Sequence, residues 1–83
     1  MEEKNKVIES ICYTELVYDR ISKKLNVKYT RAQIETFVLK VLEGTDSRFF
    51  IRKGKNIYVT SKSDNIRITI NSYTFRVITV DRV

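Results

Sequence analysis

The densest run of chemically capable side chains in this sequence is Ile51-Arg52-Lys53-Gly54-Lys55-Asn56, three cations around one glycine between two β-prone stretches. Such a run forms a hairpin tip, and its Gly54 permits φ > 0, so main-chain N–H groups and cationic side chains can approach an anion together. Tyr58, Arg67, Thr69, Asn71, Tyr73 and Arg76 follow at short intervals. Arg offers a planar bidentate fork, Lys a point charge, Thr and Asn neutral hydrogen bonds, and Tyr a ring on which a base can stack. The chemistry these types share is recognition of phosphate, in RNA or in a nucleotide. The candidate ligand-binding residues are therefore Arg52, Lys53, Lys55, Tyr58, Arg67, Thr69, Asn71, Tyr73 and Arg76. A solvated basic turn is the competing reading, since lysines also guard edge strands and keep small proteins soluble. The run is not a Walker loop, because the spaced glycines and the Lys-Ser/Thr opening of a helix are absent.

Catalysis is more tightly bounded. With no histidine, Ser/His/Asp and Cys/His arrangements are excluded, and one cysteine supplies neither an internal disulfide nor the ligand set of a structural zinc site. No metal and no cofactor is expected. Cys12 recurs with Ile8 and Leu16 at helical spacing and reads as a core residue rather than a nucleophile. Metal-independent RNA cleavage by attack of the 2′-hydroxyl remains open. In that chemistry Arg and Lys stabilise the charge of the phosphorane while Tyr or Lys moves a proton, and Arg52, Lys55, Tyr58, Arg67, Tyr73 and Arg76 are the groups available.

Charge divides along the chain. Residues 1–46 hold eight basic and eight acidic side chains, whereas residues 47–83 hold eight basic ones against Asp64 and Asp81 alone, so the whole net charge of +6 falls in the second part. Eighty-three residues allow one domain, here 1–83, with a helical half over about 5–44 and a β half over about 47–82. No apolar run approaches the roughly 20 residues that span a bilayer. The opening Met1-Glu2-Glu3-Lys4 is too polar for a secretory signal. A cytoplasmic protein without membrane contact is expected.

The elements that would position these groups are legible as periodicities. From 7 to 25, Val7, Ile8, Ile11, Cys12, Leu16, Val17, Ile21 and Leu25 step at helical spacing, which predicts one bent or interrupted helical unit, with Thr14 able to cap a second start. Thr30 and Gln33 form a capping box, Tyr29 and Ile34 a hydrophobic staple, and Ile34, Phe37, Val38, Val41 and Leu42 a core stripe that ends at Gly44 in a left-handed position. Beyond Asp46 the period becomes 2. Strands are predicted over 48–53, 56–60, 66–70 and 74–80, joined by turns short enough to impose an antiparallel meander. In the last strand Phe75 and Val77 face one way and Ile78 and Val80 the other, which predicts a bulge. Phe37, Phe75 and one of Phe49 and Phe50 are assigned to the core; Tyr13, Tyr18 and Tyr29 mark helix boundaries. The fold class is α+β: two N-terminal helical segments on one face of a four-stranded antiparallel meander, whose other face is left wet with the basic and hydroxyl residues on it.

Two resemblances accompany this reading. Thr14-Glu15-Leu16 with Arg20-Ile21 and Leu25, then Ile51 to Val59, Ile68 to Thr74 and Ile78-Thr79, resemble a small uncharacterised bacterial and phage family known only as a domain of unknown function. The chain departs from that pattern at Ile57, where the family has an aromatic residue, and in having no histidine near the last strand, which weakens a histidine-dependent role. In order of elements alone, the architecture is similar to the barnase, colicin D and RelE-like RNA-cleaving toxins, of which RelE-like members rely on Arg, Lys and Tyr. The expected function is a basic module that binds RNA or a nucleotide through the sheet face. The alternatives are a histidine-free endoribonuclease toxin and a phage-type inhibitor that binds a host protein or sequesters a signalling nucleotide, a homo-oligomer being open in that case.

Overall fold

The structure, a computed structural model, describes residues 2–83; Met1, counted above in the domain and in the opening segment, lies outside them. Three helices precede the sheet: α1 (Glu2–Ser10), α2 (Glu15–Leu25) and α3 (Arg31–Glu43). A 3-10 turn (Ser47–Phe49) then leads into β1 (Phe50–Lys53), β2 (Asn56–Ser61), β3 (Ile66–Asn71) and β4 (Val77–Arg82), which lie side by side in chain order, each antiparallel to the next.

The first helical unit is interrupted into two helices, the second starting after Thr14 at the N-cap position. Residues 11–14 run extended, and the main chain of Cys12 pairs with the strand edge ahead of β4: its N–H donates to the Phe75 carbonyl at 2.9 Å and its carbonyl accepts from Val77 N–H at 2.9 Å. Pairing an otherwise open edge outweighs continuing a helix through Cys12-Tyr13-Thr14, three residues of modest helix propensity. Two expectations fall with it. Cys12 is exposed rather than a core residue. Leu16 is 77% exposed, because the restart at Glu15 resets the helical phase so that Val17, Ile21 and Leu25 take the inner face.

The capping box predicted for α3 is realised. Thr30 Oγ1 accepts from Gln33 N–H at 3.1 Å while Gln33 Oε1 accepts from Thr30 N–H at 2.8 Å. Ile34, Val38, Val41 and Leu42 are buried, and Tyr29 meets the Phe37 ring at 6.3 Å. Its end differs from expectation, for Gly44 stays right-handed at φ −83°. The last carbonyls are satisfied otherwise: the buried Thr45 hydroxyl donates to Val41 O at 2.6 Å, and Lys4 Nζ reaches from α1 to Glu43 O and Thr45 O at 3.1 and 2.7 Å. A cation there also complements the negative end of the helix dipole.

The helices cover one side of the sheet. Val7, Val17, Ile21, Leu25, Ile34, Val38, Val41 and Leu42 meet Phe50, Ile57, Val59, Ile66, Ile68, Ile70, Val77 and Val80 in one continuous core. Phe50 is the core member of the phenylalanine pair, while Phe37 and Phe75 are partly buried against the core. The bulge appears as a register shift: Thr69 faces Thr79 but Ile70 faces Val77, which leaves Ile78 extra. β4 starts later than the 74–80 run predicted. Asn71 Oδ1 captures the N–H groups of Tyr73 and Thr74 at 2.8 and 2.9 Å, and Phe75 sits at φ 61°, so these residues form the turn. Among the described residues no helix is long and apolar enough to cross a membrane.

Candidate nucleic-acid interface

Cross-strand partners share a face of a sheet, so the register assigns every strand residue to the helix side or the uncovered side. Three rows lie on the uncovered side. Ile51, Tyr58, Thr69 and Thr79 form the middle row; Thr60, Arg67 and Asp81 lie on one side of it; Lys53, Asn56 and Asn71 lie on the other. Alternation in β2 and β3 puts them there, because Ile57, Val59, Ile66, Ile68 and Ile70 are drawn into the core.

The face has internal order. Asn56 Nδ2 donates to Tyr58 Oη at 3.2 Å, and Arg67 Nε donates to Thr60 Oγ1 at 3.3 Å, which orients the guanidinium along the sheet. Just ahead of β1, the half-buried Phe49 ring lies between two cations, with Arg48 Cζ at 5.2 Å and Lys62 Nζ at 5.4 Å from its centroid. Sequence reasoning missed this group. Its signal was the doublet Phe49-Phe50, of which a strand can bury only one. Asp81 stands opposite Arg67 but is ion-paired with Lys24 of α2 at 2.7 Å, and Asp64 accepts from the Ser61 hydroxyl at 2.8 Å in the β2–β3 turn.

The nine candidate residues do not form one patch. Lys53, Tyr58, Arg67, Thr69 and Asn71 share the uncovered face, and Lys55 is exposed at the β1–β2 tip, where Gly54 has φ 63° as expected. That tip is tied to the next turn by Ser72 N–H donating to Lys55 O at 2.8 Å, and Tyr73 projects from that turn 70% exposed. Thr69 is only 7% exposed within its row and presents little to a ligand.

Arg52 is a correction. It stands opposite Ile57 and so points to the helix side, where its Nε donates to Glu3 Oε2 at 2.9 Å. Arg76 is another: it precedes β4 and lines a cleft beside α2 instead of the sheet face. Parity explains the first, since Arg52 is two residues from buried Phe50; the second follows from the Asn71 turn, which keeps Arg76 out of the strand.

Two tyrosines, Tyr13 ahead of α2 and Tyr18 within it, form a separate cluster. Tyr13 and Tyr18 stack at 5.5 Å, Tyr18 Oη donates to Glu35 Oε2 at 2.6 Å, and Arg31 lies 4.9 Å above the Tyr18 ring while forking onto both Glu15 oxygens at 2.8 and 2.7 Å. Burial pushes the Tyr13 phenol well above its usual range, and the hydrogen bond to Glu35 raises that of Tyr18. The Arg31 hydrogen bonds hold the Glu15 carboxyl below its usual value.

These features define a class: a small α+β protein in which three helices back a four-stranded meander whose far side is mainly polar, with Tyr58, Lys53 and Arg67 among hydroxyl and amide side chains. The chain belongs to the family described as "Protein of unknown function (DUF3781)", whose model matches residues 5–81. No curated protein and no solved structure matches it.

Proposed function

We propose that this protein binds single-stranded RNA through the uncovered face of its sheet. The observation that carries the reading is the arrangement around Tyr58: an aromatic ring in the middle row, with Arg67 in the row on one side and Lys53 on the other, and the cation-flanked Phe49 near the same end as Thr60. A broad face with rings and spaced cations suits an extended strand, because bases stack on the rings while the backbone follows the charges. An enclosed nucleotide would need more concavity than a flat sheet provides. Asp81 opposes the reading at Arg67, and its ion pair with Lys24 reduces that opposition.

Fluorescence anisotropy with a labelled, unstructured RNA tests it. Contacts from Arg48, Lys53, Lys62 and Arg67 correspond to a log–log salt slope of roughly −3 for single strands. Absence of binding at low salt, or an affinity indifferent to salt, would overturn the proposal. Intact RNA after prolonged incubation separates binding from cleavage.

A further inference from the structure

The second concentration of free positive charge lies away from the sheet face. A cleft of about 310 Å³ opens between the start of α2 and the β3–β4 corner, lined by Arg20 and Arg76 with Thr14, Asn71 and Thr74, over an apolar floor that includes Val17 and Val77. Among the described residues no carboxylate lines it. Of the acids nearest in sequence, Glu15 is engaged by the Arg31 fork, and Asp19 lines the adjoining groove on the other side of Arg20 without an ion pair to it. Among the described residues neither Arg20 nor Arg76 has an ion-pair partner. Two like charges lining one cleft repel each other, and an anion between them would turn that repulsion into two attractions.

Two of the donors are oriented in advance. Arg20 Nη1 donates to Ile78 O at 3.1 Å, at the residue the bulge leaves over, which anchors the guanidinium by one corner. Asn71 Oδ1 is committed to the N–H groups of Tyr73 and Thr74, so its Nδ2 is the free end of the amide. Thr14 precedes α2 without making a side-chain capping bond, and its hydroxyl is therefore uncommitted to the helix. Two guanidinium forks, an amide donor and hydroxyls match the oxygens of a doubly charged phosphate group. The positive end of the α2 dipole adds to the same field. The apolar floor would carry the organic body attached to that phosphate, and the volume is at the small end of ligand clefts.

We infer that this cleft is a binding site for a small phosphate monoester, beside the RNA face and sharing only Asn71 with the rows assigned to it. Sugar phosphates and nucleoside monophosphates share the recognised chemistry. Titration of ¹⁵N-labelled protein with ribose 5-phosphate, uridine 5′-monophosphate, uridine and inorganic phosphate, followed by NMR, tests the inference and distinguishes the sources. Both esters should shift the resonances of Thr14, Arg20, Asn71 and Arg76 and bind more tightly than uridine or inorganic phosphate. Arg20→Gln and Arg76→Gln should each weaken the esters about tenfold or more. Arg76 is the safer variant, since among the described residues its side chain bonds to no other element, and an unchanged melting temperature confirms its fold. Arg67→Gln should leave ester binding intact. No binding at millimolar ester, ester affinity no better than that of uridine or inorganic phosphate, or affinity unchanged in both cleft variants would overturn the inference. RNA binding by a Tyr58→Ala variant is scored separately, so failure of one site is not read as failure of the other.

Discussion

Arg52 of β1 donates its Nε to Glu3 of α1 at 2.9 Å, a contact across 49 positions of sequence that takes the central cation of the basic hairpin away from the uncovered face. Both side chains are partly solvated, at 49% and 26% exposure, so the pair contributes at most about 1 kcal/mol to stability. Its consequence is directional. Arg52→Ala should change RNA affinity by less than about twofold, whereas Arg67→Ala should lower it about three- to tenfold and make the salt slope shallower by roughly 0.7. Equal losses from the two, measured by anisotropy, would show that RNA does not lie along the uncovered side.

Tyr58 provides the stacking test. Tyr58→Ala should weaken RNA binding by about 1–3 kcal/mol with the salt slope unchanged, because the ring contributes stacking and no charge. Tyr58→Phe should keep most of the affinity, losing only the hydroxyl that accepts from Asn56. A steeper loss in the phenylalanine variant than in the alanine one would point to a hydrogen-bonding role instead.

Alkaline pH should destabilise the fold through Tyr13 and Tyr18. The folded-state pKa of Tyr13 is raised chiefly by burial and that of Tyr18 chiefly by its hydrogen bond to Glu35, from an ordinary 10.0. A raised folded pKa means that the stabilisation is fully present below the unfolded value and is lost as pH rises through the folded one, so melting temperature should hold to about pH 10 and then fall. Tyr13→Phe and Tyr18→Phe should each flatten that decline. Thermal melts followed by circular dichroism, beside a phenolate absorbance titration, provide the comparison.

Glu15 gives the opposite sign at the acid end. Its folded pKa is lowered by the Arg31 hydrogen bonds, so the contribution is present above the unfolded carboxylate value of about 4.5 and is lost as pH falls through the folded one. Glu15→Gln should therefore lower the melting temperature slightly near neutral pH and not at all in strong acid. A deficit that persists in acid would assign the effect to packing.

The α3 cap offers a larger effect. Thr30→Ala removes the acceptor of Gln33 N–H and should cost about 1 kcal/mol, or about 4–8 °C in a chain of this size. Ile68→Ala, in the fully buried centre of β3, should cost about 2–5 kcal/mol, a large share of the roughly 5–15 kcal/mol that holds a small domain together. Denaturant titrations would register both, and a cap variant as damaging as the core variant would contradict the packing described.

Local chemistry was readable from the residues alone. The capping box at Thr30 and Gln33, the stripe from Ile34 to Leu42, the alternation of Ile57, Val59, Ile66, Ile68 and Ile70, the turn at Gly54 and the bulge ahead of Val80 depend on neighbours a few positions away, and a linear pattern carries them. Strand parity likewise placed Tyr58 and Arg67 on the wet face. What depended on distant partners could not be read in this way. Cys12 left the helix to pair with the edge ahead of β4, Arg52 turned to Glu3, Gly44 stayed right-handed because Lys4 and Thr45 served the carbonyls of α3, and Arg76 came to line a cleft with Arg20. Each of these outcomes is a competition between a local preference and a polar group supplied from tens of residues away, and only the folded chain brings the second competitor into range.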